Sequence, residues 1–264
     1  MKMTKIMFRI GVLLIALTFV ACRSSKELIY MSNAGHGELL VGLPDTITEY
    51  IVKPGDILYV SIKSINAEVN AMFNPEANME STSYASYQKY STPQGAYLYG
   101  FEVDAQGNLT LPVLGSIPVA GYYQSQLERI VQHRADQFLK EAIVKVRLLN
   151  YKVTVLGEVK SPGVYYNYNN NFTVLEAIAL ANGNTDFANI RRVVVLRPES
   201  GGKRTYLLDL ASTTVFQSEA FYLHPNDYIF VEPDSYKNFQ LNSQAYSLFF
   251  SSLSLLLAVL GFLL

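Results

Sequence analysis

The chain is strongly apolar at both ends and alternates apolar with polar positions between them. Ile10 to Val20 is one apolar run. Tyr246 to Leu264 is another, 19 residues without a charge. At a helical rise of about 1.5 Å per residue, that run would reach about 28 Å, close to the hydrocarbon thickness of a bilayer. The pattern predicts a C-terminal transmembrane helix within residues 235–264. Small residues recur along it at Ser243, Ser247, Ser251, Ser254, Ala258 and Gly261. Spacings of three and four place all six on one helical stripe. Such a stripe lets helices approach closely, lines a lumen, or leaves its serines bonded to their own carbonyls.

Between the ends, the periods change. Glu49 to Ile65 reads as two strands around a Pro54-Gly55-Asp56 turn. Asn66 to Gly95 lacks apolar periodicity and predicts a long polar insertion, which in a compact domain is functional or mobile. Tyr84, Tyr87, Tyr90, Tyr97 and Tyr99 cluster around it, as sugar-stacking or ordinary surface residues. Tyr97 to Gly121 reads as a row of short strands with turns at Asp104–Asn108, Pro112, Gly115, Pro118 and Gly121. Ser125 and Glu128 have capping-box spacing and open a helix whose stripe is Leu127, Ile130, Val131, Ala135, Phe138 and Leu139. Ile143 to Leu149 alternates like a half-buried strand.

A second unit starts near Tyr151. Two strands flank Ser161-Pro162-Gly163, and Thr173 and Glu176 cap a short helix that stops at Asn182-Gly183. Strand-like stretches then run over Arg191–Pro198, Lys203–Leu210 and Phe221–Pro233. Strands around one short helix predict a small α+β domain of β-grasp type. Pro54-Gly55-Asp56 and Pro225-Asn226-Asp227 both precede an apolar strand, which predicts one turn used twice.

Composition narrows the function. A formal net charge of −1 without a basic cluster argues against nucleic acid as a partner. The three histidines are far apart in sequence, and no spacing suggests a metal site, a triad or a cofactor-binding loop. The expectation is a non-enzyme without cofactors. Glu102 and Asp104 are a possible acid–base pair, but Asp104 fits better as the residue ordering its turn. Lys2, Lys5 and Arg9 before the first apolar run make residues 1–21 a signal peptide. Cys22, the only cysteine, follows small Ala21 and resembles a lipoprotein attachment site. Residues 22–48 then read as a tether.

In order, these elements resemble the outer-membrane polysaccharide export family. Pro54, Gly55, Asp56, Asp104, Gly107, Leu111, Pro112, Gly115 and Gly121 fall on the family's export-domain pattern, over residues 49–150 with 66–95 as the polar insertion. Val155, Gly157, Val159, Pro162, Gly163, Tyr165, Pro225 and Asp227 match a soluble-ligand-binding β-grasp domain over residues 151–234. The resemblance implies an α+β fold: a periplasmic export domain, a β-grasp domain and a C-terminal transmembrane helix. It further implies an outer-membrane lipoprotein anchored at Cys22, whose homo-oligomeric ring passes capsular or exopolysaccharide from an inner-membrane co-polymerase and tyrosine kinase. The alternative is a membrane-tethered periplasmic glycan-binding module without a pore.

Overall fold

In the computed structural model, the described residues are 28–37, 49–65, 72–74, 92–169, 171–199, 201–235, 237 and 243–263. The expected signal peptide, Cys22, and Tyr84, Tyr87 and Tyr90 of the polar insertion lie outside them.

The first unit is built on a three-stranded antiparallel sheet. β1 (Ile57–Lys63) lies between β2 (Phe101–Glu102) and β5 (Ile143–Leu148). A separate hairpin, β3 (Asn108–Leu111) with β4 (Gly115–Pro118), packs beside it. Its core gathers Leu58, Val103, Leu109, Val119, Leu127 and Val131. One short helix contradicts the expected row of strands from Tyr97: α1 is Pro93–Tyr99. Proline at the first turn costs no hydrogen bond there, and the Thr92 hydroxyl accepts the Gly95 N–H at 3.1 Å.

The second helix, α2 (Gln124–Ala135), starts earlier than its expected cap. Ser125 gives its hydroxyl to Glu49 at 2.8 Å instead of capping. The Gln126 side chain takes the Tyr123 N–H at 2.9 Å. Glu128 and Gln132, off the apolar stripe, turn to the open edge of β5. Val146 N–H donates to Glu128 Oε1 and Val144 N–H to Gln132 Oε1, each at 3.1 Å. Gln124 and Gln132 donate to the carbonyls of Val146 and Ala142. Residues 124, 128 and 132 are one helical turn apart, so one face of α2 closes an edge strand with side chains.

The second unit is a five-stranded mixed sheet in the order β7-β6-β10-β8-β9. The strands are β6 (Lys152–Gly157), β7 (Gly163–Tyr166), β8 (Ala188–Glu199), β9 (Gly202–Leu208) and β10 (Tyr228–Pro233). The last strand runs parallel to the first, and α3 (Val174–Leu180) crosses one face. This is the β-grasp arrangement. Thr173 and Glu176 make the expected capping box: Glu176 N–H donates to the Thr173 hydroxyl, and Thr173 N–H to Glu176 Oε2. Residues 28–37 pack on this second unit, with Met31 N–H donating to the Leu210 carbonyl and Asn184 to the Tyr30 hydroxyl.

The C-terminal segment corrects the expected fold class. It is helical, as α4 (Ser243–Leu263), but among the described residues no helix is long and apolar enough to cross a membrane. Gln244, Ser243, Ser247, Ser251 and Ser252 make its first half more polar than its second. Ser251, Ser252 and Ser254 donate their hydroxyls to the carbonyls of Ser247, Phe249 and Ser251 within the helix. The architecture is therefore α+β, two units followed by a C-terminal helix.

Candidate functional site

The two Pro-x-Asp turns have the same construction. Asp56 N–H donates to the Lys53 carbonyl, and Asp227 N–H to the His224 carbonyl. In each, the aspartate carboxylate takes the backbone N–H three residues back, at 2.8 Å. The third turn residue has positive φ, 87° at Gly55 and 67° at Asn226. Proline second and a left-handed residue third is the type II pattern. Asn tolerates the left-handed region at Asn226 where glycine serves at Gly55.

Both carboxylates are buried, and burial raises their pKa. Tyr50 donates to Asp56 at 3.2 Å. Arg197 clamps Asp227 at 2.9–3.2 Å and donates its other nitrogen protons to the Tyr222 and Glu219 carbonyls. The turns meet where the units join: the Tyr50 ring stands edge-on to His224 at 6.5 Å. Burial, with Arg197 and Lys53 nearby, lowers the His224 pKa to about 4. Asn150 ties the junction by accepting the Ile57 N–H and donating to the Gly55 carbonyl.

The other motif residues are turn-makers. Asp104 accepts the Gln106 and Asn108 N–H groups, the role expected of it rather than acid–base chemistry. Gly107 has φ +83°, and its carbonyl takes the Val119 and Ala120 N–H groups. Leu111 is buried, and Pro112, Gly115 and Gly121 shape the ends of the β3–β4 hairpin. Gly157 is the most constrained. At φ +88°, an added Cβ would stand 2.1 Å from the Val231 carbonyl oxygen. Pro162 and Gly163 turn β6 into β7. On α4, Ser247, Ser251, Ser254 and Ala258 are exposed. Ser243 and Gly261 fall within the same helix.

None of these motif residues lines the cleft between the units. That cleft, about 310 Å³, opens between the two units. Val52, Leu58, Leu148 and Tyr151 form its apolar floor. Glu49, Gln124, Ser125, Glu128 and Arg147 line the first unit's wall, and Asn167, Tyr168, Asn169 and Asn171 the second's. Arg147 pairs with Glu128 at 2.6 Å. Tyr151 donates its hydroxyl to the Leu223 carbonyl, and burial raises its pKa. Asn167 is buried and braces its loop, accepting the Asn169 N–H and donating to the Asn169 carbonyl. Sequence reasoning gathered these residues into no site, Ser125 and Glu128 reading as a helix cap, because the wall is assembled from four separate stretches. The one local signal was the amide-rich run at 167–171, which lies between elements. Among the described residues, no group of three His, Cys, Asp or Glu could hold a metal ion.

Comparison with known families fixes the relationship. Residues 44–149 match the polysaccharide biosynthesis/export protein family, and residues 151–231 match the SLBB domain. The chain belongs to the polysaccharide export protein family. Both matched domains are of export and binding type, associated with the periplasm and outer membrane, and they tie this exporter relative to a polysaccharide substrate.

Proposed function

We propose that this protein is a lipoprotein held at the outer membrane through Cys22, with its body in the periplasm. Its copies associate in a ring that conducts capsular or exopolysaccharide outward. The polymer arrives from an inner-membrane co-polymerase and tyrosine kinase, and the protein itself performs no catalysis. The observation that carries this reading is the tandem of export and SLBB domains in one chain.

Two surfaces support association between copies. On the outward face of the β-grasp sheet, Leu156, Val164, Leu207, Tyr228 and Phe230 are exposed. The strand register sets Leu156 beside Phe230, and Phe230 beside Val194, which pairs with Leu207. A contiguous apolar face of this kind is what a subunit contact covers. The second surface is α4, whose exposed Leu248, Phe249, Phe250 and Leu255 also call for cover. Its small stripe packs by close approach, since two of its serine hydroxyls, those of Ser251 and Ser254, are already bonded within the helix.

Deleting the gene in a polymer-producing cell tests the export role. Surface polysaccharide is expected to disappear and polymer to accumulate inside the envelope. Undiminished surface polymer would refute it. Radioactive fatty-acid labelling tests the anchor: Cys22→Ala is expected to abolish the label, and a labelled variant protein would rule lipidation out.

A further inference from the structure

We propose that the cleft between the two units is a binding subsite for an uncharged saccharide, taking a ring or two of a glycan. The inference deepens the export reading and rests on it.

The cavity lies near the lower end of the range of about 300–1,000 Å³ usual for small-molecule pockets, a size suited to a mono- or disaccharide. Its lining has the chemistry that sugars demand. A pyranose presents hydroxyls that donate and accept at once, around an apolar C–H face. The matching surface is apolar beneath and rich at the rim in planar groups that both donate and accept. Leu148 is the partly exposed part of the floor, with Val52 and Leu58 buried behind it. The side-chain amides of Asn169 and Asn171 stand exposed at the rim, without a partner among the described residues. Each can donate two protons and accept two. The partly exposed Tyr168 also lines the cleft.

The loop is also pre-shaped. Asn167 is 6% exposed and bonds to both the N–H and the carbonyl of Asn169. The Asn169 backbone therefore needs little ordering when a ligand arrives, which favours binding by weak polar contacts.

Charge selects among sugars. Arg147 is neutralised by Glu128 at 2.6 Å. Glu49 faces the cleft with only the Ser125 hydroxyl bonded to its carboxylate and makes no ion pair among the described residues. The lining thus carries one uncompensated negative charge. It accepts hydroxyls through Glu49 and repels uronic acids and other acidic sugars.

The test is saturation-transfer NMR on the full-length protein in detergent. The probes are maltose, cellobiose and mannobiose, with digalacturonate as the acidic counterpart. At least one neutral disaccharide is expected to bind, and digalacturonate about tenfold more weakly. The double variant Asn169→Ala/Asn171→Ala is expected to lose about fivefold or more in affinity while its unfolding midpoint stays unchanged, because both side chains are exposed. Glu49→Gln is expected to narrow the gap between neutral and acidic probes. The proposal is overturned if no neutral disaccharide binds, if the double variant binds as the parent does, or if digalacturonate binds equally well. The export reading fails separately: surface polymer that survives gene deletion removes it whatever the cleft binds. Loss of polymer on deletion, with a cleft that binds nothing, would leave export standing and the subsite gone.

Discussion

Two residues of the β-grasp unit carry stakes that their neighbours do not. Gly157 lies where β6 meets the end of β10, with φ +88° and the Val231 carbonyl oxygen 2.1 Å from any Cβ placed on it. Gly157→Ala combines a left-handed backbone with a clash against main chain, and is expected to cost about 3 kcal/mol. Urea unfolding would register this as a lower midpoint. Asp227 is fully buried and neutralises Arg197, itself buried. Asp227→Ala strands a guanidinium without its partner, at an expected cost of about 3–5 kcal/mol. His224, beside this pair, makes stability depend on pH. Its pKa is about 4 folded against 6.5 unfolded, so the unfolded chain binds more protons between those values. Its contribution is complete above pH 6.5 and is lost as pH falls toward about 4. The expected loss is on the order of 2 kcal/mol, allowing for solvent screening of a half-buried ring. Unfolding measured across that range should slope less steeply in His224→Gln than in the parent.

Among the elements, α2 and β5 depend on each other through polar side chains rather than through the apolar stripe alone. Gln132→Ala removes the acceptor for Val144 N–H and the donor to the Ala142 carbonyl. It is expected to destabilise the first unit by about 1–3 kcal/mol and to hasten aggregation through the exposed edge, measured by unfolding and light scattering. This pairing also marks where sequence reading stopped. Local signals were legible: the apolar period of α2, the capping box at Thr173, the alternation in β5, and both Pro-x-Asp turns. Each depends on residues within a few positions. Glu128 reads in sequence as half of a capping box and Gln132 as off the apolar stripe, because the edge they serve lies beyond the helix in sequence. The helix Pro93–Tyr99 straddles the expected border between the polar insertion, ending at Gly95, and the strand row, starting at Tyr97; the Thr92 cap and the proline at the first turn decide for helix. On α4, the uncharged run was visible. Its small-residue stripe is compatible in sequence with a contact face, a lumen or self-bonded serines, and Ser251 and Ser254 do bond within the helix.

At the scale of the whole molecule, the two units are fastened at one junction. Asn150 bridges to Ile57 and Gly55, Leu148 belongs to both cores, and the Tyr50 and His224 rings touch across the boundary. The cleft beside that junction was not legible in sequence, because its walls come from segments up to 122 positions apart, from Glu49 to Asn171. Beyond the single chain, the outward sheet face is where assembly is expected to be most sensitive. Leu156→Ser with Phe230→Ser should weaken association between copies while the unit stays folded, since both side chains are exposed. The most direct measurement is particle imaging of the full-length protein extracted in detergent. The account predicts closed rings of several subunits, dispersed by the Leu156/Phe230 pair of substitutions. A uniform population of single subunits would contradict it.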